Sequence, residues 1–179
     1  MPYDHFEHRH RFAVWAAARA AQRGFTTVVN LKDALERCGI HDFLRDSNSL
    51  RTNQDKFEEW HQKWCSNVVN FLRRRKVKST SYGRSAKLIA VYLKTMVVIG
   101  PGWKSNLARV AHPPIDRVFP KNISSCVEVE SIHKKEWGKI PWTKLDKRNY
   151  YRLMNQLRDA LPNERRLWRL EKYWTVTSN

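Results

Sequence analysis

The spacing of apolar positions along the chain predicts helices and little else. Residues 11–23 (RFAVWAAARAAQR) are Ala-rich, with Phe12, Trp15 and Ala16 on one side and Gly24 following as a stop. Asn30 is placed to cap NLKDALERC, with Asp33 in its first turn and Gly39 at its end. Thr52, with Asp55 three residues on, approximates a capping box and opens another helix. Within it Phe57, Trp60, Trp64, Val68 and Phe71 recur at three- and four-residue spacing as one apolar stripe.

A basic knot at residues 73–78 and a Ser-Thr-Ser-Tyr-Gly turn lead into a nearly all-apolar stretch, residues 86–99. Its β-branched residues admit a strand, but its length favours a buried helix. Gly100-Pro101-Gly102 ends it, a loop runs to His112-Pro113-Pro114, and Asp116 stands where an N-cap would. Thr143 with Asp146 opens a helix to about Ala160; Pro162 breaks it, and Asn163 caps a last helix to about Trp174. With no strand pairs, βαβ alternation or internal repeat, the expected class is all-α, as one compact domain over residues 1–179.

Composition narrows the possibilities. Hydrophobic residues make up 41% of the 179 and aromatics 12%, including eight Trp, which excludes a disordered basic tail. Cys38, Cys65 and Cys126 form no CxxC pair, so a zinc ribbon or iron–sulfur loop is not available. The first ten residues lack the apolar core of a signal peptide, and the apolar run at 88–99 is interrupted by Lys94 and too short to span a bilayer. These features lead us to expect a soluble, cytoplasmic, monomeric protein with no membrane contact.

Charge adds a direction. The formal net charge is +17, and its placement is uneven. Residues 1–59 hold nine bases and nine acids, so they read as a neutral scaffold; residues 60–115 hold eleven Lys or Arg and no acid; residues 116–179 hold fourteen bases and eight acids. A solvated surface normally mixes signs, so the acid-free stretch reads as a face for a polyanion, with nucleic acid the leading class. Arg73, Arg74, Arg75, Lys76, Lys78, Arg84 and Lys104 are the candidate phosphate contacts.

Two groups stand out as chemistry. Asp116, inside Ala-His-Pro-Pro-Ile-Asp-Arg, is the first carboxylate in 56 residues and follows two rigid prolines. Upstream, Gly83-Arg84-Ser85-Ala86-Lys87 reads as a turn whose backbone N–H groups can approach a phosphate. Lys87 and Lys94 then lie seven residues apart on nearly one face of an apolar helix. Buried lysines lose proton affinity and become nucleophiles, typically through Schiff bases.

Tyr-Gly-Arg-Ser-Ala-Lys-Leu-Ile-Ala followed by Pro-Pro-Ile-Asp-Arg resembles the helix-hairpin-helix DNA glycosylases, over residues 82–118. Those have a Gly-x-Gly-x-Lys hairpin and a downstream Pro-Val-Asp. Gly83 and Lys87 match the first Gly and the Lys, while Ser85 replaces the second Gly. The nearest likeness is to the archaeal 8-oxoguanine glycosylase type. That resemblance implies a helix-hairpin-helix glycosylase-like bundle, in which residues 60–118 carry the hairpin and catalytic segment and residues 119–179 the C-terminal helices. It implies Lys87 as the Schiff-base lysine, Lys94 as the second lysine and Asp116 as the catalytic aspartate. It further implies a double-stranded DNA partner, no cofactor, and a flipped base excised to leave an abasic site. Small relatives of this family act in phage defence on bulky modified cytosines such as glucosylated 5-hydroxymethylcytosine. That role is the one expected here, with 8-oxoguanine repair, a lyase step or a non-catalytic DNA-binding module as the alternatives.

Trp60, Trp64 and His112 are candidate walls of the base pocket, although the stripe position of the two tryptophans favours core packing. His5, His8 and His10 cluster near the N-terminus without ordered carboxylates, so no metal site is expected.

Overall fold

The computed structural model describes residues 3–126, 129, 131–160 and 166–174. Among these every regular element is helical and no strand occurs. Among the described residues no helix is long and apolar enough to cross a membrane. Pro162 and Asn163 lie outside the described residues.

Helix α1 runs His5–Gln22, six residues earlier than the apolar pattern suggests, because the Asp4 carboxylate accepts the Glu7 N–H at 2.8 Å. Arg23 and Gly24 end it with positive φ angles of 38° and 74°. Its inward stripe is His10, Ala13, Val14, Ala17, Ala18 and Ala21. Small side chains there let α1 lie closely along α5 (Tyr82–Leu93), its most extensive neighbour. Phe12 and Trp15, which look like the packing face in sequence, are 57% and 52% exposed.

Helix α2 (Val28–Glu36) is capped by Thr27, which accepts the Asn30 N–H, rather than by Asn30 itself. Gly39, at φ 89°, turns the chain into α3 (Ile40–Arg45). Helix α4 (Gln54–Arg74) begins at Asn53, whose side chain accepts the Lys56 N–H at 3.0 Å. It buries Phe57, His61, Trp64, Cys65, Val68 and Leu72, while Trp60 and Phe71 sit half-buried at the margin of the stripe.

Helix α5 is the centre of the molecule, with α1 and α4 against it and α9 and the 3-10 turn Trp142–Lys144 closing over it. Its N-cap is Ser81, so Gly83 lies inside the first turn and not in a preceding hairpin. The apolar stretch does not continue as α-helix to Ile99: from Lys94–Val98 it widens into a π turn, with the Ile99 N–H bonded to the Lys94 carbonyl at 2.8 Å. The loop beyond contains a one-turn helix, α6 (Asn106–Val110), capped by Ser105. Short helices α7 (Val118–Ser125) and α8 (Lys134–Trp137) follow. Helix α9 (Lys147–Ala160) starts after Asp146, whose carboxylate accepts the Asn149 N–H; Thr143 lies in the preceding 3-10 turn. A further 3-10 turn occupies Leu167–Tyr173. One apolar cluster runs from Ala13 of α1 to Leu170 of that last turn.

Candidate active site

Lys87 and Asp116, 29 residues apart in sequence, meet in the interior. Helix α5 turns Lys87 inward, leaving it 3% exposed, and its Nζ donates to Asp116 Oδ2 at 3.3 Å. The indole face of Trp142 lies 4.9 Å from the same Nζ. The Pro113-Pro114 approach delivers Asp116 to the start of α7. There its Oδ1 accepts the N–H groups of Val118 (2.9 Å) and Phe119 (3.2 Å), two donors that have no partner within the helix. Trp174 donates its indole N–H to Oδ2 at 3.1 Å.

This environment sets both charges. Burial pulls the Lys87 ammonium down from its ordinary value, and nearby Arg23 adds to the effect; Asp116 opposes it without winning. For Asp116 burial acts toward protonation. The Lys87 charge, the Phe119 and Val118 amides and the Trp174 indole together outweigh it and hold the carboxyl below its ordinary value. The result is a carboxylate fixed in its ionised form beside an amine eased toward its neutral one.

The pair opens onto a cavity of about 420 Å³, within the range of small-molecule sites. Arg23, Val91, Lys94, Glu171 and Trp174 form much of its wall. Lys94 pairs with Glu171 and lies 5.5 Å from the Trp174 ring. Burial raises the Glu171 carboxyl even though Lys94 acts against it. The π turn begins at Lys94, so the two lysines share this cavity from positions about two turns apart on one helical run.

Other expected residues lie elsewhere. Trp60, Trp64 and His112 do not line the cavity. Trp64 is fully buried against Phe43 and Phe57, because the α4 stripe faces the core. His112 is enclosed by His61, Tyr150 and Tyr151; its Nε2 accepts from Arg158 at 3.0 Å, leaving Nδ1–H for the Tyr150 hydroxyl.

The Gly83 hairpin reading also changes. The Gly83 N–H is already given to the Leu145 carbonyl at 2.9 Å, and a Cβ there would fall 2.1 Å from the Trp142 carbonyl oxygen. Glycine serves the close approach of the 142–145 segment rather than that of a phosphate. Ser85 is 1% exposed and bonds back to the Ser81 carbonyl. Arg84 stacks on Phe25, 4.2 Å from the ring centre.

The basic knot is solvent-facing: Arg73, Arg74, Arg75, Lys76 and Lys78 are exposed. Arg75 is committed to Asp33 at 3.0 Å. Lys104 is exposed beside Trp103.

Arg23, Trp142, Glu171 and Trp174 complete the site without having been singled out in sequence. Glu171 is one of eight acids in the last third and carries no local mark. Arg23 reads there simply as the end of a helix. No protein-family model, curated protein or solved structure matches the chain.

Proposed function

We propose that the chain is a DNA glycosylase that takes a flipped, modified base into the Lys87–Asp116 cavity and cleaves its N-glycosidic bond. The observation that carries this reading is the buried pair itself: an ionised carboxylate and a lysine of lowered proton affinity, 3.3 Å apart at the wall of a cavity. Base excision passes through an oxocarbenium-like sugar, which a fixed carboxylate stabilises electrostatically.

Two routes use these groups. In the first, neutral Lys87 attacks C1′, the C1′–N bond breaks, and its electron pair leaves with the base. The proton that the amine sheds on forming the new C–N bond is then available to the base, and ring opening of the adduct gives a Schiff base. In the second, Asp116 steers a water to C1′ and Lys87 stays an ammonium that orients the carboxylate. The resemblance to helix-hairpin-helix glycosylases supports both at Lys87, Lys94 and Asp116, while its hairpin part does not, since Gly83 lies inside α5; a helical bundle of that type is the architecture proposed with it. The acid-free stretch supports a DNA partner held by phosphate contacts.

The favoured substrate is a cytosine with a bulky polar substituent, removed in defence against modified viral DNA. A cavity of about 420 Å³ edged by Arg23, Lys94 and Glu171 suits a large base with hydroxyl groups to bond. Repair of 8-oxoguanine is the alternative. A non-catalytic DNA-binding module is favoured by one observation: Asp116 also serves as an ordinary helix cap.

Base release from duplexes carrying 8-oxoguanine, uracil, alkylated purines, or hydroxymethylated and glucosylated cytosine decides among these. Asp116→Asn is expected to retain DNA binding and lose release of whichever base the protein excises. Release undiminished in that variant, or no release from any member of the panel, refutes the assignment. Borohydride trapping separates the routes: an active protein that traps no adduct uses water.

A further inference from the structure

We propose that Glu7, His10, Glu36 and His41 form a structural binding site for a divalent transition metal of the zinc class, clamping α1 to α2 and α3. The inference is independent of the glycosylase reading and concerns a different region of the molecule.

The N-terminal histidines look in sequence like one solvated cluster, and the fold separates them. His8 is exposed and bonds to Tyr3. His10, one turn beyond Glu7 on α1, points inward and is 3% exposed. Its Nε2 lies 3.1 and 3.2 Å from the two oxygens of Glu36, the last residue of α2. The His41 ring, on α3, is tilted at 59° to that of His10 with their centres 4.3 Å apart, and its Nε2 lies 3.7 Å from Glu7 Oε2. One donor atom each from Glu7, His10 and His41 fall within 4.8 Å of one another.

A tetrahedral ion bound at roughly 2.0–2.2 Å keeps its donors about 3.3–3.5 Å apart. The His10–Glu36 and His41–Glu7 spacings, 3.1 and 3.7 Å, are close to that already; the donors of Glu7, His10 and His41, within 4.8 Å of one another, have to draw in by up to about 1.4 Å, and Glu36 joins them through its contact with His10. Two imidazoles with two carboxylates are a donor set that suits zinc.

The groups behind the donors agree. His10 Nδ1 is 2.7 Å from the Tyr92 hydroxyl, and His41 Nδ1 is 3.2 Å from Asp42 Oδ1. Without an ion, His10 Nε2–H donates to Glu36; when an ion replaces that proton, each ring has a partner ready for an Nδ1–H, which frees Nε2 as the ligand atom. Such outer partners fix the tautomer of metal-binding histidines. Neighbouring cations are compatible. Arg11 holds the other oxygen of Glu7, Oε1, at 2.8 Å, leaving Oε2 for the ion. Arg45 lies 3.9 Å from Glu7 Oε2 and 3.5 Å from His41 Nε2, and it has Asp4 at 3.7 Å as another partner when an ion enters.

Four protein donors make a closed site, the structural kind. The link from His10 to Tyr92 carries the clamp to α5, the helix that presents Lys87.

The test is zinc titration of the chelator-stripped protein in competition with a chromophoric chelator, repeated with cobalt for its visible absorption. One ion per chain is expected, with the strong absorption of four-coordinate cobalt and a rise in thermal midpoint. His41→Gln and Glu36→Gln should each weaken affinity by about tenfold or more, while His8→Gln leaves it unchanged. Helical circular dichroism verifies folding, and Glu36→Gln alone decides if His41→Gln does not fold, since the Glu36 side chain is about half exposed. Absence of one-to-one binding, or affinity undiminished in either folded ligand variant, overturns the proposal.

Discussion

Gly83→Ala is the sharpest probe of how this molecule is built, because two readings of that glycine predict different losses. A Cβ at residue 83 meets the Trp142 carbonyl oxygen at 2.1 Å and Leu145 Cβ at 3.0 Å. The first obstacle is backbone, so no rotamer change relieves it. The 142–145 segment must move away by about an ångström to restore the 3.0 Å that real contacts keep. Overpacking of this kind costs about 1–3 kcal/mol. Stretching the Gly83–Leu145 hydrogen bond adds about 0.5–1.5 kcal/mol. Replacing Gly by Ala in a helix returns at most about 1 kcal/mol.

The net expectation is a loss of about 2 kcal/mol, or about 4–8 °C in thermal midpoint for a chain of this size. Thermal melting and urea unfolding followed by circular dichroism measure it. Trp142 also faces the Lys87 ammonium, so the same displacement loosens the candidate site. An unchanged or raised midpoint, with weakened DNA binding instead, refutes the packing argument and restores the phosphate-turn reading.

Acid should destabilise the fold before its carboxylates titrate. Burial lowers His61 to about 3 from 6.5 and lowers His112 as well. The unfolded chain therefore binds protons that the folded one refuses, and stability falls as pH drops from 6.5 toward 3. A urea midpoint constant from pH 7 to pH 5 contradicts this. On DNA, Arg74→Ala and Lys76→Ala should each lower the slope of log affinity against log salt by about 0.9. Arg75→Ala should lower it less, since Asp33 already neutralises that guanidinium; equal slopes for all three refute the distinction.

What the sequence reveals and what it conceals follow from the range of the interactions involved. Helix existence is local: the Ala-rich stretch, the α4 stripe and the Asp146 cap are each legible within a dozen residues. Facing is less so. Phe12 and Trp15 look like the buried side of α1, yet close packing along α5 selects the alanines. Gly83 reads as a turn because glycine usually marks one. Its actual constraint comes from a segment 60 residues downstream. The prominence of Asp116 and Lys87 is visible because the acid-free stretch isolates one and an apolar helix isolates the other. Glu171, Trp174 and Arg23 reach the same cavity only through tertiary folding.

The Lys87–Asp116 pair poses an electrostatic conflict whose resolution determines the route of the reaction proposed for it. A nucleophilic amine must be neutral, and an adjacent carboxylate favours the ammonium. Burial is the larger influence on Lys87, aided by Arg23, and it acts toward the neutral amine. Asp116 does not depend on Lys87 alone for its charge, since two backbone amides and the Trp174 indole also hold it. The carboxylate therefore stays ionised when the lysine loses its proton, as the covalent route requires. On that route the single-turnover rate rises with pH, levels off at an apparent pKa below 10.5, and shows no acidic limb above pH 5, because the Asp116 carboxyl titrates below 3.8. The water route needs the ionised carboxylate and the Lys87 ammonium that orients it, so its rate is flat from pH 5 upward until Lys87 deprotonates. A rate that rises with pH without a trappable adduct contradicts both assignments and places the titrating group elsewhere.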